Sequence, residues 1–421
     1  MPITLQTALA HALDAVVDEG GRVGVAVSGG GDSVALLHLA KDWAQHRGTT
    51  IFAATVDHGL RPEAAAEAAA VSQVCGMLGI SHDVLHWRDW DGQGNLQAKA
   101  RDARRRLLSG WVKANGLTAV LLGHTADDQA ETVVMRLARG SGVDGLCGMD
   151  CASRDGVFLR PLLGISRAQL RDWLRARDIN WIEDPSNDDP RFDRVRARRM
   201  LADLAPLGLT AARLTETAAH MARARATLRR AAADWTAAHV RAEGGDLVFD
   251  AESLHLDRSD TEGRVLAAAV QWIGSAPYRP RHEALTDAAT AVLRGDVRTL
   301  GGVRMQPEAD GRVRLMREAA AAAGPIPMIA APEAGMVWDG RWLVTCKGEA
   351  AHDARFALGA LGETGLAACA AWRGAGLPRA SLLSTPAVWS GERLVAAPLA
   401  GFANDWQARL CLPFDRFILS H

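Results

Sequence analysis

Four short apolar runs dominate the first 125 residues, and each ends in small or polar residues. They are Arg22–Val27, Thr50–Gly59, His82–Trp87 and Thr118–Thr125. Helix-length stretches separate them: Asp32–His46, the alanine-rich Pro62–Leu78 and the basic Asn95–Asn115. Another helix is expected from about Asp127 to Arg139. Pro62 suits a first helical turn and Gly116 a helix stop. Strands alternating with helices of this length join through right-handed crossovers into a parallel sheet covered on both faces. The expected fold class is α/β, a Rossmann-like parallel sheet with helices on both faces. In such sheets ligands sit beyond the carboxyl ends of the strands. Three polar clusters fall at those ends: SGGGDS (Ser28–Ser33), DHGLR (Asp57–Arg61) and GHTADD (Gly123–Asp128).

The rest of the chain is organised differently. A short strand, FLRPLL from Phe158, leads to a helix over Ser166–Arg177 with Ser166 as its N-cap. A polar loop, EDPSNDDPRFD, then precedes an arginine-rich helix start. Thr210–Val240 has the pattern of a long connecting helix. Two more helices are expected near Thr261–Ile273 and Arg281–Leu293. Val297–Met316 is expected as two strands around a turn at Asp310–Gly311. After the Ala/Pro/Gly-rich Ala319–Gly335, the pieces WDGRWLV and WSGERLVAAPL suggest short hairpins in a β-rich end. With 421 residues the chain has room for two or three domains. The expected division is an N-terminal domain over 1–210, a helical linker with a small domain over 211–320, and a β-rich domain over 321–421, the last two being smaller α+β domains.

Charge and cysteine content narrow the class. Formal net charge is −1, so any nucleic-acid footprint must be local rather than global. Only four lysines occur, and nearly all positive charge is arginine. The six cysteines form no CxxC pair and no zinc spacing, which suits reduced, ordinary thiols. No apolar run reaches membrane-spanning length, and no basic segment followed by an apolar core opens the chain. The expectation is a cytoplasmic protein with no membrane association, acting as a monomer or homodimer.

Each cluster carries chemistry that its residue types explain. In SGGGDS, Gly29, Gly30 and Gly31 let backbone N–H groups approach phosphate oxygens, at the start of a helix that favours anions. Ser28 and Ser33 add hydroxyls. Glycines alone would suit any strand-to-helix turn. Asp32 would repel a phosphate, and makes sense there as a Mg²⁺ ligand. In GHTADDQAET, His124, Asp127, Asp128 and Glu131 crowd one corner. First-turn acids suit the helix dipole without any function, but His124 beside them does not follow from that. Asp128 and His124 are therefore candidates for metal or substrate work. On the basic helix NLQAKARDARRRLL, Arg101 shares a face with Ala98 and Arg105 and is the candidate to face a polyphosphate. RFDRVRARR holds five arginines in nine residues, the strongest local basic patch, suited to a phosphate backbone or to a solvated helix face.

Taken together these stretches resemble the tRNA(Ile)-lysidine synthases, within the N-type ATP pyrophosphatases of the PP-loop superfamily. SGGGDS matches the SGGxDS pyrophosphate loop. VDHGLRPEAAAEA, NLQAKARDAR, GHTADDQAET, RPLLGISRAQLRDWL and WIEDPSNDDPRFDRVRAR follow the family's order, and the likeness is close over about residues 20–200. The resemblance implies that ATP adenylates the C2 carbonyl oxygen of the wobble cytidine in a CAU anticodon. The side-chain amine of free L-lysine then displaces AMP. It implies pyrophosphate binding by Ser28–Ser33, and Mg²⁺ or reactant positioning by Asp32 and Asp128. It implies further that His124 and Arg101 line the adenylation site, and that Arg194, Arg196 and Arg198 contact tRNA(Ile). Val195 and Ala197 depart from the Asn and hydrophobic residue usual in that last stretch, Gln97 stands where Glu is common, and Arg105 replaces a frequent aromatic. Loss of the γ-phosphate-gripping lysine of other nucleotide loops fits cleavage between the α- and β-phosphates, where only the departing pyrophosphate needs stabilising. A PP-loop tRNA thiolase would call for cysteine chemistry, and an amidotransferase for a glutaminase segment. A non-catalytic nucleotide- or RNA-binding module would have no use for Asp32, His124 and Asp128 at converging strand ends.

Overall fold

Strand order decides where a site can form, and here it reverses next to the glycine-rich loop. The computed structural model describes residues 5–60, 62–90, 92–153, 155–183, 191–255, 259–328, 335–346 and 356–420. It comprises two compact units, Met1–Arg225 and Ala226–His421. In the first unit β1 (Arg22–Ala26), β2 (Thr50–Asp57), β3 (Ser81–His86), β4 (Ala119–Leu122) and β5 (Phe158–Leu159) form one sheet in the order β3-β2-β1-β4-β5. All its pairings are parallel. Helix α1 (Leu5–Leu13) precedes β1, and the crossovers carry α2 (Gly31–Gln45), α3 (Ala64–Met77), α4 (Leu96–Ala114), α5 (Ala126–Leu137) and α6 (Val143–Leu146). Then come α7 (Arg167–Arg175), α8 (Asp193–Leu204) and α9 (Ala211–His239), the last of which runs on from the first unit into the second. The α/β reading holds. From β1 the chain builds to one side through β2 and β3 and to the other through β4 and β5, so a crevice opens between the carboxyl ends of β1 and β4.

The strands alternate between two cores, as side chains of period two must. Val23, Val25, Ile51, Ala53, Ala119, Leu121 and Leu159 pack with Leu9, Leu36, Leu39 and Leu170. Ala26, Ala54, Val120, Leu122 and Phe158 face the opposite way, onto Leu108, Trp111 and Val112 of α4. Gly24 is required at its place: a Cβ there would stand 2.3 Å from Trp111 Cζ3. The Trp111 ring is fixed by Nε1 donating to Asp83 Oδ2 at 2.7 Å.

Two local expectations change. The strand expected over FLRPLL shrinks to Phe158–Leu159, because Pro161 has no N–H for a ladder and the chain turns into Gly164. Val297–Met316 holds three strands rather than two. β8 (Arg298–Leu300) and β9 (Val303–Pro307) reverse at Gly301–Gly302, both at positive φ, before β10 (Arg312–Arg317). The EDPSN stretch from Asp184 onward, Arg61 of DHGLR and residues 329–334 lie outside the described residues.

The second unit is antiparallel. β6 (Val240–Glu243) and β7 (Asp246–Asp250) join β8–β10 in the order β6-β7-β10-β9-β8. This sheet shares a core with α10 (Asp260–Gly274), α11 (His282–Leu293) and the C-terminal helix Phe414–Ser420. Beyond it β11 (Ile326–Pro327), β12 (Met336–Trp338), β13 (Trp342–Cys346), β14 (Phe356–Ala360), β15 (Pro386–Ser390), β16 (Arg393–Ala396) and β17 (Trp406–Leu410) form two small sheets, β11-β14-β15-β16 and β12-β13-β17. WDGRWLV is a hairpin. Trp338 stands opposite Trp342, and the chain between them turns through Asp339 and Gly340, both at positive φ.

Buried arginines lock this unit together. Arg314 pairs with Glu243 at 2.6 Å, Asp246 at 3.2 Å and Glu308 at 2.5 Å. Arg317 forks onto both oxygens of Asp339 at 2.9 Å.

Candidate functional site

The loop after β1 is shaped by contacts that tolerate little side chain. Gly29 lies at φ +88°, and a Cβ on it would stand 2.8 Å from Ile182 Cδ1. The Ile182 N–H donates to Gly29 O at 2.9 Å and holds the loop in place. Gly30 is the N-cap of α2 and offers no side chain to its first-turn amides; the Ser33 N–H donates to Gly30 O at 3.0 Å, and those of Gly31 and Asp32, the first two helical positions, are left for an anion. Ser33 braces the turn: its hydroxyl donates to Gly30 O at 2.8 Å and accepts from Ser28 N–H at 3.2 Å. Its proton is thus committed inside the loop, whereas Ser28 is exposed.

The exit of β4 meets this loop. A Cβ on Gly123 would be 3.1 Å from Asp32 O and 3.2 Å from Ser33 Cα, so the glycine brings the GHTADD corner against the start of α2. Thr125 is the N-cap of α5, and its N–H and hydroxyl donate to Asp128 Oδ2 at 2.9 and 3.0 Å. This capping box is the ordinary helix-start use of Asp128. Its other oxygen, Oδ1, faces Arg167 at 3.5 Å and Arg194 at 3.6 Å. Asp32 and Asp128 therefore share one corner, joined by a guanidinium: Arg167 Nε donates to Asp32 Oδ2 at 2.9 Å.

Burial and these partners set the protonation states. Burial raises the Asp32 carboxyl above its ordinary value, and Arg167 offsets only part of that. Burial acts the same way on Asp128, but the Thr125 N–H and Arg167 outweigh it and hold the group below the ordinary value. His124 is pushed well below the imidazole range, first by burial and then by Arg104, Arg160 and Arg194, against the pull of Asp128. It is neutral at pH 7. Its Nδ1 and Asp32 Oδ1 are buried with no hydrogen-bond partner among the described residues. Orphaned atoms of this kind in a crevice are what a ligand would satisfy.

The arginines divide. Arg101 is exposed on α4, while Arg104, one turn further, lies close enough to His58 and His124 to depress both imidazoles. Arg105 turns away, pairing with Asp155 at 3.1 Å and covering the Phe158 ring. On α8, Arg194 faces Asp128, and Arg198 Nε donates to Glu131 at 2.9 Å. Of the three arginines expected on tRNA, only Arg196 is turned fully outward, 63% exposed and paired with Asp193 of its own helix.

Glu131 stands in the sequence only as one of the acids crowding the GHTADDQAET corner, and Arg104 and Arg167 carry no signal that singles them out. Glu131 is only 1% exposed, and burial raises its carboxyl although Arg198 pulls the other way. Arg104 sits in a charge run where no single arginine stands out. Arg167 follows an N-cap serine, a position that says nothing about a partner in another helix. Only the fold reveals it, because the first turn of α7 lies beside the first turn of α5. Ala126 N–H donates to Ile165 O at 2.9 Å, and Arg167 N–H to Asp127 Oδ2 at 2.7 Å.

The PP-loop domain family matches residues 2–205. A tRNA(Ile)-lysidine synthase of Ruegeria pomeroyi is 47% identical over 396 residues, 92% of this chain and 91% of that protein. One from Hyphomonas neptunium is 41% identical over 67% of this chain and 78% of its own. Among solved structures, the U34-tRNA thiolase NcsA from Methanococcus maripaludis, with its [4Fe-4S] cluster, overlays with a TM-score of 0.44 at 17% identity. That overlay covers 51% of this chain and 77% of the thiolase, a likeness too distant to bear on chemistry. With a parallel sheet that reverses beside a glycine-rich loop, and sequence identity of 47% sustained along nearly the whole length of a relative, the chain belongs to the tRNA(Ile)-lysidine synthase family.

Proposed function

We propose that the protein ligates L-lysine to C2 of the wobble cytidine of a CAU-anticodon tRNA(Ile), using ATP. In the first step the cytosine O2 attacks the α-phosphorus of ATP, and pyrophosphate leaves. In the second the lysine side-chain amine attacks C2, the C2–O bond breaks, AMP leaves with that oxygen, and the amine gives up a proton. The observation that carries this reading is the convergence of the Ser28–Ser33 loop with Asp32, Asp128 and a neutral His124 at the crevice between β1 and β4.

The residues have distinct parts in it. Backbone amides of Gly29–Gly31 and the start of α2 bind the departing pyrophosphate, with Ser28 at the rim. Ser33 keeps the loop's shape through Gly30 O. Carboxylate oxygens suit Mg²⁺, and the buried, unpartnered Asp32 Oδ1 is such a donor. Among the described residues no group of three or more His, Cys, Asp and Glu forms a metal cage. Mg²⁺ needs none, since it keeps waters and completes its shell with phosphate oxygens. Asp32 and Asp128 would hold it, and when bound it supplies charge neutralisation to the phosphates. His124, kept neutral by burial and the neighbouring arginines, serves as a polar contact to the reacting groups. Arg101 and Arg104 present α4's positive charge to the reacting groups. Arg196 faces the tRNA side of α8, and Arg194 and Arg198, tied to Asp128 and Glu131, join that side to the acidic corner. In this division of labour residues 1–210 carry adenylation, and 211–320 and 321–421 grip tRNA.

The thiol environment fits ligation better than thiolation. Burial pushes the Cys75 thiol up to about 11 and raises that of Cys147 as well, so neither is a ready nucleophile. No described helix is long and apolar enough to cross a membrane. The deciding assay supplies the purified protein with ATP, Mg²⁺, labelled lysine and a CAU-anticodon tRNA. Lysine should enter the tRNA with release of AMP and pyrophosphate. Incorporation of sulfide or ammonia in place of lysine would overturn the proposal.

A further inference from the structure

Arg167 stands where a cation is needed. Its guanidinium reaches three carboxylates from two helices: Asp32 at 2.9 Å, Asp128 at 3.5 Å and Glu131 at 3.8 Å. The first two are the carboxylates assigned above to Mg²⁺. Its backbone is fixed independently of that side chain. Ser166 caps α7 in a reciprocal box with Gln169, at 3.0 and 3.3 Å. The Arg167 N–H is tied to Asp127 Oδ2 at 2.7 Å, and the nearby carbonyl Ile165 O to Ala126 N–H at 2.9 Å. The guanidinium is thus a long side chain on an anchored backbone, free to turn about its own torsions without moving α7. The carboxylates cannot be left bare. Asp128 and Glu131 are buried, and like charges in a low-dielectric corner repel strongly.

From this we infer that Arg167 is a resident cation of the Asp32–Asp128 corner, closing the metal position until ATP arrives, so that the divalent ion enters only together with the nucleotide. The inference rests on the proposed metal role of Asp32 and Asp128. The reason is electrostatic. A free divalent ion must displace a guanidinium already hydrogen-bonded to Asp32, and gains only two carboxylates in return. The ATP phosphates add oxygen ligands for the ion and at the same time give the displaced guanidinium an anionic partner. Arg167 in this role is a positioning residue for metal and nucleotide and makes no bond to the reacting atoms.

The test is Mn²⁺ binding followed by the spin-resonance signal of free Mn²⁺, without turnover. Wild-type protein should take up Mn²⁺ in the presence of α,β-methylene-ATP, which cannot be cleaved between those phosphates, beyond what the analogue binds in a protein-free control, and should bind it far more weakly without the analogue. Arg167→Gln should bind Mn²⁺ without nucleotide at least about tenfold more tightly than wild type, the scale expected for removing one cation at contact distance. That gain should vanish in Arg167→Gln/Asp32→Asn. Arg167→Lys, which keeps the charge, should still exclude the ion and guards against a folding defect in the Gln variant. Nucleotide-free binding by wild type as tight as with the analogue would overturn the inference while leaving the metal assignment intact. No gain in Arg167→Gln, with its α7 intact by thermal melting, would also overturn it. Absence of Mn²⁺ uptake by wild type even with the analogue would remove the metal assignment, and the inference with it.

Discussion

Gly123 and Asp32 are packed backbone to backbone: a Cβ on Gly123 would lie 3.1 Å from the Asp32 carbonyl oxygen. This contact sets the gap between the phosphate loop and the acidic corner. Gly123→Ala is expected to push the β4 exit and the start of α2 apart by a few tenths of an ångström. The stability cost should be about 1–3 kcal/mol, typical of overpacking. Lysine incorporation should fall much further than that loss explains, because Asp32 and Asp128 separate. Turnover and melting temperature measured on the same preparation decide it. Wild-type turnover would mean that the spacing is not critical.

Arg196 and Arg198 are two residues apart yet face different surroundings. Arg196→Ala should weaken tRNA binding and reduce the slope of log K against log salt by about one, as loss of one phosphate contact does. Arg198→Ala strips the 2.9 Å partner from Glu131, a carboxylate 1% exposed. It should cost about 1–3 kcal/mol of stability, the penalty of an unsatisfied buried group. Binding assays over a salt series, alongside denaturant melts, separate the two effects. Identical salt slopes for Arg196→Ala and wild type would take that residue out of the interface.

His124 makes the first unit acid-sensitive. Its folded pKa is depressed to about 3, below the unfolded value of about 6.5. Above about pH 6.5 both states are neutral and the residue contributes no slope. As pH falls below that value the unfolded chain takes up a proton that the folded state refuses, so stability is lost down to about pH 3. The slope from this residue is about 1.4 kcal/mol per pH unit within that window. Denaturant melts of wild type and His124→Gln across this acid range should differ in slope, with the variant flatter. Parallel curves would show that His124 titrates normally.

The second unit depends on Arg314, whose side chain is 5% exposed among Glu243, Asp246 and Glu308. Arg314→Met leaves those carboxylates facing one another and is expected to cost about 3–5 kcal/mol, as removal of one partner from a buried ion cluster does. Arg312→Met, an outer neighbour of the same strand, serves as the more exposed comparison. Equal losses in the two variants would mean that burial of the cluster does not matter.

The sequence by itself determined which residues stand at strand ends. An apolar run, a glycine turn and a helix start depend on neighbours a few residues away, so β1, α2, β4 and α5 were legible, as were Ser28–Ser33, His124 and Asp128. It could not show that Asp128 would cap its own helix with one oxygen and face two arginines with the other. Nor could it show that the Ser33 hydroxyl would be spent on Gly30 O, or that Arg104, rather than the expected Arg101, would be the arginine of α4 turned toward His58 and His124. Local spacing placed the arginines of α4 and α8 on helices but left open which of them meets a carboxylate. Only the tertiary structure decided the strand order that brings β1 beside β4, and with it the bond between Arg167 and Asp32, 135 residues apart. The reason is physical. A buried charge is stable only beside its counter-charge, and which one it meets is settled when the whole sheet closes, not by the residues next to it in the chain.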